Sequence, residues 1–314
     1  MNQPTFPQGS VSRFIVTVGL LVTLTGCASS GGSTAGGATS FDELAETQLE
    51  ALAGVEDIQV SQYPRDPGAD AAGLDGLDAA LWSVEMTVTM TETATSEEAV
   101  AAADAELAFS EDSAVDGEWT ARLDAGRQTT LPEDDVSARR AMSLQIFPAG
   151  DLPIADAIDG AVRISQSPGV ETVSTFRDRA SVNSIDAASL ALAYDGVSSE
   201  SLLASGGDYG TTDGRVQLAV IPEQVSPAVI RTIIGQAASY PAADVALVAP
   251  LEGTSAPSLF FNGVTAADAA AILSALTDPA LAGELVSPFT IPIAIRSDAG
   301  DASGFVGGVD PAQQ

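Results

Sequence analysis

The stretch WSVEMTVTM, residues 82–90, sets Trp82, Val84, Met86, Val88 and Met90 against Ser83, Glu85, Thr87 and Thr89 in strict alternation. Successive side chains on a strand point to opposite faces, so this segment has one apolar face and one wet face. Central strands of a doubly wound parallel sheet are apolar on both faces. A strand wetted on one side belongs to a sheet packed on one side, the usual situation of antiparallel sheets.

On its N-terminal side, Pro64, Pro67, Gly68, Gly73 and Gly76 mark a loop over 64–79. On its C-terminal side, Thr95 and Glu98 form a capping box that predicts an alanine-rich helix to about Ala108. Two more alternating segments come next, Trp119 to Ala125 and Met142 to Ile146, joined by a polar connection, RQTTLPEDD at 127–135. The unit is helix, strand, strand.

The same order recurs along the chain. Phe41 to Leu52 reads as a helix with Phe41, Ala45, Leu49 and Leu52 on one stripe, followed by a strand over Asp57 to Tyr63. A helix over Ile154 to Ile164 leads to strands at Val170 to Phe176 and Ser181 to Ile185. Another helix starts at Asp186, breaks near Gly196 and resumes to Ala204. GGDYGTTDG at 206–214 reads as a turn before a strand over Val216 to Ile221. Ser226-Pro227 pairs a capping hydroxyl with a proline at the first helical position, and that helix delivers strands at Val245 to Ala249 and Ser258 to Phe261. Thr265 caps a last helix with Asp268 in its first turn and Ile272, Leu273 and Leu276 on one side. FTIPIAIR at 289–296 is a strand whose Pro292 points to a sheet edge.

The fold class expected is α+β, with helices packed on one face of mainly antiparallel sheet in repeated helix-strand-strand units. LEALAGVEDIQV at 49–60 and AVRISQSPGVETV at 161–173 echo each other, both running from a helix through Gly-Val-Glu into a strand. A globular region over 41–309 is followed by a tail at 310–314, and a division of that region into two subdomains would fall at 196–214.

Composition narrows the chemistry. The chain has no histidine and no lysine, and 43 acidic side chains against 12 arginines give a net charge of −31. Without histidine there is no Ser-His-Asp or Cys-His arrangement, no HExxH zinc site and no imidazole base. Without lysine there is no GxxxxGK phosphate loop and no Schiff base. A field of this sign repels nucleic acid. The stretch from Phe41 to Thr120 is the most acidic, with Arg65 its one basic side chain.

The N-terminus carries an address. Arg13 precedes an apolar run from Phe14 to Leu24, shorter than the roughly 20 residues of a membrane span and typical of a signal-peptide core. Leu24-Thr25-Gly26-Cys27 then resembles the lipobox of bacterial lipoproteins, and Cys27 is the one cysteine of the chain. The resemblance implies that residues 1–26 are a cleaved signal peptide. It also implies that Cys27 takes a thioether-linked diacylglycerol, becomes the mature N-terminus and holds the chain on the extracytoplasmic side of a cell membrane. Two acyl chains, at about 0.8 kcal/mol per buried methylene, anchor durably. Residues 28–40, ASSGGSTAGGATS, read as a flexible tether of about 20 Å. With its thiol so engaged, thiolate catalysis, thiolate metal ligation and internal disulfides are also excluded.

Candidate sites are few. Asp66, Asp70, Asp75 and Asp78 cluster in one loop and offer oxygen ligands to calcium, although not at the spacing of an EF-hand loop. Glu133, Asp134 and Asp135 form the densest acidic run; as a glycosidase pair they would need separation across a cleft. Arg139-Arg140 and Arg177-Asp178-Arg179 are the close arginine pairs, able to grip an anion or to neutralise neighbouring carboxylates. Gly206 to Gly210 lacks the GxGxxG spacing, and Trp82 and Trp119 sit on apolar strand faces where core packing is expected. No residue is assigned to catalysis, to a cofactor or to a metal. The function expected is a membrane-anchored, non-catalytic lipoprotein that binds or scaffolds a cell-envelope protein or small ligand. The alternatives are a substrate-binding lipoprotein of a transporter and an exported carboxylate-dependent hydrolase.

Overall fold

In the computed structural model Val84, Met86, Val88 and Met90 are all buried while Glu85 faces solvent, so the alternation of 82–90 is realised. The structure describes residues 45, 47–64, 82–112, 117–129, 140–146, 153–176, 179–248, 257–286 and 290–310. Cys27, the tether, the aspartates of 66–78, the run 133–135, Arg139, Arg177, Asp178 and the last four residues lie outside them, as does the side chain of Trp82.

The strands are β1 (Val55–Pro64), β2 (Trp82–Met90), β3 (Gly117–Gln128), β4 (Arg140–Ile146), β5 (Thr172–Phe176), β6 (Arg179–Ser184), β7 (Gly207–Thr211), β8 (Val216–Val220), β9 (Asp244–Val248), β10 (Ser258–Val264), β11 (Pro292–Ser297) and β12 (Gly300–Phe305). They form one twelve-stranded sheet in chain order. Five helices connect them: α1 (Ser96–Asp112) after β2, α2 (Ile154–Ser165) after β4, α3 (Ala187–Val197) after β6, α4 (Pro227–Ser239) after β8 and α5 (Ala266–Leu276) after β10. Each strand pair between helices is antiparallel, and each pair joined through a helix is parallel. Antiparallel pairings outnumber parallel ones by one, and the helix-strand-strand unit repeats throughout.

The five connecting helices lie on one face. The ladder Met142, Val173, Val182, Tyr209, Leu218, Leu247, Leu259 and Ile293 crosses eight strands in register, and every member is buried. Burying an aliphatic side chain of this size contributes about 1.5 to 3 kcal/mol. One helix layer therefore explains how strands with parallel neighbours still alternate. The chain direction reverses from one unit to the next while the helices stay on the same face, so successive crossovers alternate in hand. Left-handed crossovers, rare in other sheets, are built into this order.

Local chemistry sets the helix boundaries. Thr95 and Glu98 make the reciprocal bonds expected, Thr95 N to Glu98 Oε2 at 2.8 Å and Glu98 N to Thr95 Oγ1 at 3.2 Å. Ser226 caps α4 and Thr265 caps α5, each accepting from the amide three residues on. Helix α1 runs to Asp112, past the expected end.

Several sequence readings are corrected. Helical structure near the N-terminus ends by Leu49, and Leu52 lies in the turn after it. The helix read from Asp186 with a break near Gly196 stands: it runs Ala187–Val197 after an Asp186 cap and resumes as a short 3-10 turn, Ser201–Leu203, ending at Ala204. The segment read as a turn from Gly206 is mostly strand β7, where a side chain at Gly207 would stand 2.5 Å from Leu203 Cδ2. These glycines serve close packing. β7 pairs with both β6 and β8, so the sheet runs unbroken through 196–214, and Ser40–Gln314 gathers as one compact unit. Pro292 is not on an edge strand: it opens β11, where a first residue needs no ladder hydrogen bond, and the edges are β1 and β12.

The two echoing segments occupy equivalent places. Each leaves a helix, turns at a glycine of positive φ (Gly54 at 79°, Gly169 at 84°) and enters the first strand of a unit, β1 or β5.

Candidate functional site

The face of the sheet away from the helices is open and hydrogen-bonding. One row runs in register through Asp57, Thr89, Asp124, Ser143, Ser174, Ser181 and Asp208. A second runs through Thr172, Asn183, Gly210, Gln217, Ala246, Phe260, Ala294 and Ser303. Neighbouring members stand about 4.8 Å apart across the strands. In the first row the residues are mostly half-buried, whereas in the second Gln217, Phe260, Ala294 and Ser303 are exposed.

Phe260 and Phe261 are adjacent in β10, so one ring goes to each face. Phe261 is fully buried against the helices and Phe260 is 38% exposed. Beside it, on the same face, Asp244, Asn262, Arg296 and Asp301 lie in register across β9 to β12. Arg296 Nε lies 3.8 Å from Asp301, and Asn262 makes no side-chain hydrogen bond among the described residues. A shallow hollow of about 310 Å³ opens next to this row, with Arg215, Gln217, Asp244, Ala246 and Asn262 in its walls. Arg215 is held there by its bond to the Ala242 carbonyl at 2.9 Å and by Asp213 at 3.3 Å.

A second concentration of polar groups lies at β3. Glu106 falls on the buried stripe of α1 formed by Ala99, Ala102, Ala103 and Phe109, and it is fully enclosed. Its two carboxyl oxygens have no hydrogen-bond partner among the described residues. Burial raises its pKa well above the ordinary value, the Arg122 backbone N–H pulls the other way, and the charge of Asp124 adds to the rise. Asp124 is also raised by burial, offset in part by the Ser143 hydroxyl opposite and by Arg122 and Arg140. Its Oδ1 is enclosed and without a partner among the described residues. Glu106 is enclosed on the helix side, and Asp124, in the open-face row, is half-buried with one carboxyl oxygen enclosed, so neither is fully presented to a ligand.

Of the arginines singled out from the sequence, the two among the described residues, Arg140 and Arg179, meet carboxylates. Arg140, with a buried side chain, pairs with Glu56 and lies 3.8 Å from Glu92. Arg179 lies 3.8 Å from Asp208, whose pKa burial raises and Arg179 lowers. Arg127, not singled out, reaches Glu171 at 3.2 Å. Glu56 and Glu171 are the glutamates of the two Gly-Val-Glu echoes, and they take the two arginines of the same strand pair, β3 and β4. Trp119 packs edge-on against Phe109 with ring centroids 6.3 Å apart, on the helix side as expected.

Sequence reasoning missed Phe260, Gln217 and Asn262. The Phe-Phe pair inside an alternating strand carried the signal for the first. The others acquire meaning only from the register between strands. The chain matches no known protein family, no curated protein and no solved structure.

Proposed function

We propose that the chain is an exported lipoprotein, held on the extracytoplasmic side of a membrane by acylated Cys27, whose open sheet face binds a component of the cell envelope without catalysis. The observation that carries the binding part is the one-sided sheet: helices bury one face, and the other is left to solvent as registered rows of hydroxyl, amide and carboxylate groups. The lipobox-like Leu24-Thr25-Gly26-Cys27 and the tether after it support the location.

Two measurements on the full chain, expressed in a host that processes lipoproteins, test the reading. Intact mass is expected to show loss of residues 1–26 and addition of diacylglycerol, both abolished by Cys27→Ser, with the protein leaving the membrane fraction. A photo-crosslinking residue placed at Gln217 or Thr87, on the open face, is expected to trap an envelope component, whereas one at Asp195 on α3 is not. An unmodified Cys27 overturns the location, and crosslinks from the helix side alone overturn the binding face.

A further inference from the structure

We propose that the part of the open face spanning β8 to β12 is a binding site for a neutral saccharide, with a pyranose ring stacked on Phe260 and its hydroxyls held by Gln217, Asp244, Asn262 and Arg296. This rests on the reading of the open face as the binding surface.

Phe260 is the anchor. Its ladder neighbours are Ala246 on β9 and Ala294 on β11, whose side chains are too short to cover the ring. A sugar presents a face of C–H groups and a rim of hydroxyls, so it needs a flat apolar platform bordered by groups that both donate and accept. The border here has that composition: two amides, a carboxylate and a guanidinium. Residues two apart along a strand on one face are about 6.5 to 7 Å apart, so Asn262 stands beside Phe260 at the span of one pyranose ring with its substituents. The row Asp244, Asn262 and Arg296 then lies along one side of the platform.

Charge selects against other ligands. In a chain of net charge −31, Arg215 and Arg296 nearly balance Asp213, Asp244 and Asp301 locally. Phosphorylated or sulfated ligands meet the long-range repulsion of the whole molecule, and a neutral ligand does not. The hollow is shallow and polar, unlike the largely apolar pockets that enclose small hydrophobic ligands. A protein partner would be expected to use a larger apolar centre. Here the apolar centre is small, one exposed ring with Ala246, Ala294 and Val248 about it, bordered by Asp244, Asn262 and Arg296.

The test is calorimetric titration of the mature lipoprotein in detergent micelles with cellohexaose and maltohexaose, neutral glucose oligomers of opposite linkage. Saturable binding to at least one is expected. Phe260→Ala should weaken it by about tenfold, the scale of one lost aromatic contact, and Phe260→Tyr should preserve it. Asn262→Ala should weaken it by a smaller factor. Phe260 lies on the open face, so circular dichroism is expected to show both Phe260 variants folded. Absence of saturable binding to either oligomer, binding indifferent to Phe260→Ala, or tighter binding of heparin overturns the proposal. A crosslink from Gln217 to an envelope protein, with no oligomer binding, overturns the saccharide and leaves the open-face reading standing.

Discussion

Glu171 receives the guanidinium of Arg127 at 3.2 Å with its own side chain only 5% exposed, while the arginine remains 44% exposed. The pair is lopsided: the acid is desolvated and its partner is not. The Arg127 Nη2 also donates to the carbonyls of Val170 and Glu171 at 2.9 and 3.2 Å, tying the start of β5 to the end of β3. Arg127→Met is expected to cost about 1 to 3 kcal/mol, solvent screening of the arginine keeping it below the full value of a buried pair. Urea unfolding in a double-mutant cycle with Glu171→Gln should recover part of the loss. Strictly additive losses would show that the two side chains are not coupled.

Glu106 predicts a pH dependence of definite sign. Its folded-state pKa lies above the ordinary 4.5, so across the interval between the two values the folded chain binds the proton more than the unfolded chain does. The stability contributed by the protonated group is fully present below about 4.5 and is lost as pH rises through the folded value. Glu106→Gln should therefore match the parent in acid and exceed it increasingly toward neutral pH, as read from urea midpoints across about pH 4 to 8. Parallel curves for the two proteins would refute this. Asp124, raised for the same reason, leaves a residual slope of the same sign in the variant.

Two glycines should respond in opposite directions to alanine. At Gly169, φ is +84° and a Cβ would lie 2.2 Å from the Ser189 carbonyl oxygen, so Gly169→Ala must push apart the turn and α3. Its cost should exceed 2 kcal/mol, roughly what strain and overpacking produce together. Gly235 sits on the exposed side of α4 with nothing within 4 Å of such a Cβ, and Gly235→Ala should stabilise by about 0.5 to 1 kcal/mol. Thermal unfolding of the two variants beside the parent provides the check.

The Thr95–Glu98 box should be worth about 1 kcal/mol, the usual value of an N-cap side chain. Thr95→Ala removes the hydroxyl that accepts from the Glu98 amide, and Thr95→Ser retains it. Urea denaturation should separate the first from the parent and leave the second close to it.

Much of the fold was legible because alternation and caps are local. Residues 82–90, the Thr95 box, Ser226-Pro227 and Thr265 each report on their own few residues, and all of them stand where they were read. The strand order was not legible. A preference for right-handed crossovers argues against placing every helix on one face of a sheet whose strands succeed one another in chain order. Strand β12 was invisible for another reason: GDASGF has almost no apolar residue to alternate, and β12 is a strand because it lies against β11. Strand β7 was hidden behind glycines whose role is close approach rather than turning. The proposed binding face shared this limit, since Gln217 on β8 comes beside Phe260 and Asn262 on β10 only through a register that depends on two separate strand pairings.

A sheet whose strands lie side by side in the order of the chain needs no segment to wait for one made much later. The first strand pair and its helix can settle while the C-terminal half is still in transit, and each newly arrived unit finds its template already in place. For a polypeptide delivered N-terminus first, assembly can keep pace with delivery. Unsatisfied backbone is then confined to the outer side of β1 and to one advancing margin, which comes to rest on the six-residue strand β12.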